Sequence, residues 1–205
     1  MTAAVRILLI SGSTRSGSTN TAVLRTAQAT APHGVTAVVY DRLAALPAFN
    51  PDDDHDPLPG VVASLREEIA VAHGVLFCVP EYAGALPGSF KNLLDWTVGG
   101  PEMYGKPVAW INVSPEGRGE LAQTSLSTVL DYLGAAVIEP ACGRLFVPRD
   151  AVGPDGVVSD VELRGKIAAV LRMVVKHLRP TAREDDRMDA SSDRVPGGSQ
   201  SIGDG

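Results

Sequence analysis

Basic charge, cysteine and long apolar runs are all scarce in this sequence, and each scarcity removes a class of function. Eighteen lysines and arginines stand against 24 aspartates and glutamates, a net charge of −6. That balance lacks the footprint of a protein whose main partner is nucleic acid or an anionic membrane surface. The two cysteines, Cys78 in LFCVP and Cys142 in PACGR, show no CxxC or Cys/His spacing for zinc or dithiol exchange. They read as ordinary buried thiols. The apolar run near the N-terminus, Ile7–Ile10, directly follows Arg6 and is too short for the core of a signal peptide. No run reaches the length of a transmembrane helix. The expectation is a protein of the reducing cytoplasm.

What is present is the composition of one soluble globular domain: 205 residues, 44% hydrophobic and 20% charged. Short β-branched runs alternate with longer amphipathic ones, the pattern of a parallel sheet with crossover helices. Five strands are expected at Val5–Ser11, Val35–Tyr40, Gly74–Val79, Pro107–Val113 and Arg144–Val147. Helices are expected over Thr19–Ala31, Val61–Ala72, Pro87–Val98, Gly119–Leu133 and Asp160–Leu178. The strands are nearly all apolar, as they are when helices cover both faces. A doubly wound five-stranded α/β sheet of order 2-1-3-4-5 follows, with its ligand crevice beyond the C-terminal ends of strands 1, 3 and 4.

Two segments read as surface. Ala44–Pro59 carries Asp52, Asp53, Asp54, His55 and Asp56 among prolines but lacks the alternating ligands and turn glycine of a calcium loop. It is expected to be a solvated acidic loop. Pro180–Gly205, rich in Arg, Asp, Ser and Gly, is expected to be a disordered tail, which leaves residues 1–179 as the domain.

After strand 1 comes Ser11-Gly12-Ser13-Thr14-Arg15-Ser16-Gly17-Ser18-Thr19-Asn20, then a helix. A first helical turn has unpaired N–H groups and a partial positive charge, so a phosphate can dock end-on. Glycines let the backbone curl close, hydroxyls add small donors, and Arg15 adds charge-assisted bonds. Gly12 and Gly17 have the spacing of a Walker loop, but Ser18 stands where its lysine belongs, and the GxGxxG dinucleotide fingerprint is absent. A single terminal phosphate fits best. Ser18 or Thr19 as a plain N-cap is the competing explanation.

After strand 3 the chain reads Pro80-Glu81-Tyr82-Ala83-Gly84-Ala85-Leu86-Pro87-Gly88-Ser89-Phe90-Lys91-Asn92-Leu93-Leu94-Asp95-Trp96. GSTRSGSTN followed further along by PEYAGALPGSFKNLLDW resembles the NADPH-dependent FMN reductase family of flavodoxin-like fold, which includes quinone, azo-dye and chromate reductases. The resemblance spans roughly Val5 to Val147. It implies that Ser13, Arg15, Ser18, Thr19 and Asn20 hold the FMN phosphate and that Pro80, Glu81 and Tyr82 lie along the flavin ring. Ala83 replaces the family's asparagine; backbone N–H groups of Tyr82, Ala83 and Gly84 remain as donors. Glu81 is open to a second role as a loop brace, and Tyr82 to one at the edge of the core. Asn92, Asp95 and Trp96 share a helix face suited to packing or subunit contact. Ser114 and Gly117 fall in the family's third flavin loop, where Arg118 is a candidate for the nicotinamide cofactor's phosphate.

The implied activity is hydride transfer from NADPH or NADH to flavin N5 and onward to a small acceptor: a quinone, free flavin, azo compound or metal oxyanion. The cofactor carries that chemistry, so no catalytic side chain and no metal is assigned. His33, His55, His73 and His177 are scattered. A homodimer or homotetramer is implied by the resemblance alone. A flavin-binding redox sensor and a phosphate-binding module without flavin are the alternatives.

Overall fold

A computed structural model describes residues 4–192, with side chains as far as Arg179. Five parallel strands make the main path of one sheet, in the order β2-β1-β3-β4-β5: β1 (Val5–Ser11), β2 (Val35–Tyr40), β3 (Gly74–Cys78), β4 (Pro107–Asn112) and β5 (Ala136–Val137). This is the expected flavodoxin-like architecture. Alternate residues of a strand face opposite sides, and the core divides accordingly. Leu8, Ile10, Val75 and Phe77 face one layer, formed by α2 (Gly60–Ala70), α3 (Gly88–Asp95) and α4 (Glu120–Tyr132). Ile7, Leu9, Leu76 and Cys78 face the other, formed by α1 (Thr19–Ala29) and α5 (Val161–Ser192).

The register sets where the site can form. Ser11 pairs with Cys78, and Cys78 with Ile111, so β1, β3 and β4 end level with one another. Their three following loops meet at that edge, as expected for the crevice of a doubly wound sheet.

The last strand differs from the expected Arg144–Val147. The edge is made of two short pieces, β5 and β6 (Gly143–Arg144), both parallel to β4. While β4 advances from Val108 to Ile111, the edge chain advances from Val137 to Gly143 and bulges through a 3-10 turn at Glu139–Ala141. Pro140 lies in that turn and has no N–H for a ladder. The pairing therefore cannot run continuously. The last helix also differs: α5 continues past Leu178, its expected end, into the segment read as a tail. Residues 193–205 of that tail lie outside the described residues.

The acidic loop is more than solvated surface. Asp54 pairs with Arg66 at 2.6 Å, both side chains about nine-tenths buried, and Arg66 Nε donates to the Trp96 carbonyl at 2.8 Å. The pair pins the loop to α2 and α3. Asn92 and Trp96 complete the fastening: Asn92 Nδ2 and Trp96 Nε1 both donate to the Pro47 carbonyl, and the Phe49 N–H donates to Asn92 Oδ1. Two of the three polar residues on that helix face thus serve packing within the chain. Among the described residues no helix is long and apolar enough to cross a membrane, and no three His, Cys, Asp or Glu side chains come together as a metal set.

Candidate functional site

The loop after β1 is built by close approach. The Gly12 N–H donates to the Cys78 carbonyl at 2.9 Å. A Cβ on Gly12 would lie 2.7 Å from Val79 Cγ1 and 3.2 Å from Val79 Cα, so only glycine permits the approach. Ser11 Oγ accepts from the Ser13 N–H and the Thr21 hydroxyl, and Ser13 Oγ accepts from the Arg15 N–H. Gly17, at φ +67°, turns the chain into α1.

Ser18 occupies the N-cap position, yet its side chain makes no capping hydrogen bond. The first helical bond runs from the Ala22 N–H to the Ser18 carbonyl. The Ser18 hydroxyl and the amides ahead of Ala22 therefore remain available to a ligand. Plain capping does not account for the Ser18 side chain. Asn20 is buried, and its Oδ1 accepts from Cys78 Sγ at 3.3 Å, which leaves its amide nitrogen as the donor end. Burial pushes the Cys78 thiol well above its ordinary pKa, so it stays protonated and keeps that role.

The loop after β3 forms the second wall. Glu81 Oε2 accepts from the N–H groups of Leu121 and Ala122, at 3.1 and 3.3 Å. It braces the loop against the first turn of α4, one of the two roles the sequence left open. Tyr82 and Ala85 exchange backbone hydrogen bonds around a two-residue turn in which Ala83 and Gly84 take φ +51° and +73°. That is a hairpin turn of the primed kind. The Tyr82 N–H is engaged inside it, which corrects the expectation that this amide is a flavin donor. Tyr82 is 53% exposed, so it is not a core-edge residue.

The third wall follows β4. Asn112 Oδ1 accepts from the Ser114 N–H, and Asn112 Nδ2 donates to the Arg118 carbonyl. Only glycine fits at position 119, at φ +82°, because a Cβ there would lie 2.5 Å from Asn112 Nδ2. Arg144 donates to the Pro115 carbonyl at 2.6 Å and pairs with Glu120. The loop is held at both ends.

These walls enclose a cleft of about 420 Å³. Ser13, Arg15, Ser18, Thr19 and Asn20 line it from the first loop, Pro80, Glu81 and Tyr82 from the second, and Ser114 and Arg118 from the third. Ala83, Gly84 and Gly117 do not line it; their positive φ shapes the turns behind it. Arg149 lines the cleft too and was missed by the sequence reading. It follows β6, where the only signal is a basic residue just beyond a strand's C-terminal end. Arg15, Arg118 and Arg149 have no carboxylate partner among the described residues. The cleft is thus locally positive in an acidic chain.

Residues 5–143 match the sequence profile of the NADPH-dependent FMN reductases. The chain belongs to that family. It is 37% identical over 181 residues to an NAD(P)H-dependent FMN reductase of Pseudomonas aeruginosa, a match covering 85% of this chain and 97% of that one. Against a quinone reductase of Escherichia coli the identity is 33% over 143 residues, 67% of this chain and 76% of the other. Among solved structures, the flavoenzyme NAD(P)H:(acceptor) oxidoreductase FerB of Paracoccus denitrificans superposes with a TM-score of 0.70 at 29% identity, covering 84% of this chain and 98% of that one. This FMN reductase family member is accordingly an NAD(P)H-dependent flavin oxidoreductase with FMN as its cofactor. The unused Ser18 hydroxyl, the open first turn of α1 and the unpaired arginines suit a phosphorylated flavin.

Proposed function

We propose that the cleft holds FMN with its phosphate on Ser13, Arg15, Ser18, Thr19 and Asn20 and its ring bordered by Pro80, Glu81, Tyr82 and Ser114, and that the acceptor is a quinone-type small molecule. The observation that carries this reading is Ser18: at a helix N-cap, with no capping bond, it faces the cleft beside free amides. Relatives named quinone reductase and 2-hydroxy-1,4-benzoquinone reductase support the acceptor class.

Bound there, FMN would supply the hydride and electron chemistry between nicotinamide and acceptor. The chain's own residues do the rest. Helix α1 and Arg15 oppose the phosphate charge. Glu81, by bracing its loop on α4, holds Pro80 and Tyr82 at fixed positions on the cleft wall. Asn112 fixes the third loop from below. In this reading none of these groups has to exchange a proton. Residues 1–179 act as one flavin domain, in the cytoplasm, as a homodimer or homotetramer.

The test is binding and turnover together. Purified protein should bind FMN and oxidise NADPH or NADH with benzoquinone as acceptor. Ser13→Ala with Ser18→Ala should weaken FMN binding about tenfold or more at little cost in thermal stability, since charge-assisted phosphate bonds are lost, no cap is, and the one internal bond removed, from the Arg15 N–H to Ser13 Oγ, is exposed. Protein that neither binds FMN nor oxidises NAD(P)H overturns the reading. Flavin binding without turnover on any acceptor would favour a redox sensor.

A further inference from the structure

We infer that Cys78 is a positioning residue for the phosphate site: its thiol holds the Asn20 side chain with the carbonyl end turned into the protein and the amide nitrogen turned to the ligand, a reading that rests on FMN occupying the first loop. Asn20 is only 7% exposed, yet it lines the cleft. An asparagine side chain carries a donor and an acceptor on one planar group, so a half turn about its last bond exchanges them. Before a phosphate the two ends act oppositely. Nδ2 donates to the anion, whereas Oδ1 sets a lone pair against its charge.

The thiol decides which end faces out. Cys78 Sγ donates to Asn20 Oδ1 at 3.3 Å. The Nδ2 end has no hydrogen-bond partner among the described residues and is not sealed in the interior, so it is free for a ligand. A thiol has one proton to give and accepts poorly, so it pairs with the carbonyl end and offers the amide end little. Cys78 is fully buried, and burial keeps that proton in place. A thiolate would accept instead and would turn the amide the other way.

The sheet register explains why this residue of β3 can act. Cys78 pairs with Ser11 at the level ends of β3 and β1, so their side chains stand on the same side of the sheet, the side that α1 covers. Each fastens one of two consecutive residues in the first turn of α1. Ser11 Oγ accepts from the Thr21 hydroxyl, and Cys78 holds Asn20. The Cys78 carbonyl also accepts from the Gly12 N–H, which ties its backbone to the same loop. Phe77, one residue back, faces the opposite core layer. Filling the core needs no donor, and a valine would serve that purpose equally. The hydrogen bond to a cleft residue is what cysteine adds.

A double-mutant cycle read by calorimetry, with FMN titrated into the full chain stripped of flavin, tests this. Cys78→Ala should weaken FMN binding about fivefold or more, because an amide free to turn loses part of its bond to the phosphate. Cys78→Val serves in its place if the alanine variant does not fold. Cys78→Ser keeps a donor and should bind FMN within about twofold of the unaltered protein. In an Asn20→Ala background, Cys78→Ala should have almost no further effect, since the group it positions is gone. Riboflavin, which lacks the phosphate, should bind Cys78→Ala and the unaltered protein alike. Full FMN affinity in Cys78→Ala overturns the inference, and so do losses that add in the double variant or fall equally on riboflavin. Each of those results leaves FMN binding by the unaltered protein in place. Unaltered protein that binds no FMN overturns the flavin reading and this inference with it, a result that no variant is needed to see.

Discussion

The Glu81 carboxylate and the Leu121 amide lie 3.1 Å apart, joining the loop after β3 to the first turn of α4. A carboxylate at a helix N-terminus satisfies donors that the helix cannot and opposes its dipole. Glu81→Ala should therefore lower stability by about 1 kcal/mol, measured by urea unfolding, and should also weaken FMN binding, because Pro80 and Tyr82 lose their brace. Glu81→Gln keeps an acceptor oxygen and should lose less of both. If the alanine variant keeps full stability, the bond is not a working cap.

Ala83 carries a strain that an asparagine or glycine would lessen. It is the one non-glycine residue of positive φ among the described residues, at +51°. For a residue with a Cβ, that region costs roughly 1–2 kcal/mol, and Asn and Gly bear it better. Ala83→Gly and Ala83→Asn should each raise stability by about 0.5–1 kcal/mol, read as a higher Tm. Ala83→Val, β-branched, should lower it. A destabilised glycine variant would show that the turn does not hold the conformation described.

Gly12 makes the opposite case, where a side chain has no room. Its missing Cβ would meet Val79 Cγ1 at 2.7 Å and Val79 Cα at 3.2 Å. Gly12→Ala should cost about 1–3 kcal/mol as an overpacked contact and shift the phosphate loop away from β3. Adding Val79→Ala removes the nearer of the two obstructions but not the backbone one. Stability should recover only in part, and the double-mutant cycle should show favourable coupling. Full additivity of the two changes would mean that Gly12 and Val79 do not meet.

How much could be read from the residues alone follows a physical divide. Strands such as Val5–Ser11 and the small, polar loop before α1 announce themselves locally, through apolar runs and through hydroxyls beside glycines. Sheet order followed because alternating strands and helices allow few topologies. What escaped depends on distant partners. Glu81 bonds to amides on α4, Arg66 closes on Asp54 of the acidic loop, and Arg149 reaches the cleft from a turn after the sheet. The broken edge strand was legible in part, since Pro140 marks a break, but the bulge needed the register with β4. Ala83 was noticed as a departure in chemistry. Its consequence is conformational, and only φ reveals it.

Tyr40 links a packing defect to a pH limit. It is 3% exposed, and its hydroxyl finds no partner among the described residues. Burial pushes its pKa up to about 12, with Arg42 pulling it down and Glu68 and Asp41 adding to the rise. An unfolded chain loses this proton near pH ~10. Between that pH and about 12 the unfolded state binds fewer protons than the folded one, so stability falls as pH rises. Tyr40→Phe removes the unpaired hydroxyl and keeps the ring beneath the Arg42 guanidinium, 5.9 Å from its centroid. The variant should be more stable at pH 7 by about 1 kcal/mol, and its decline through the alkaline window should be shallower. Urea unfolding across that range reads both effects. The slope that remains belongs in part to Cys78, raised by the same kind of burial. A variant with the wild-type slope and no gain at neutral pH would mean that the Tyr40 hydroxyl is solvated in the folded protein.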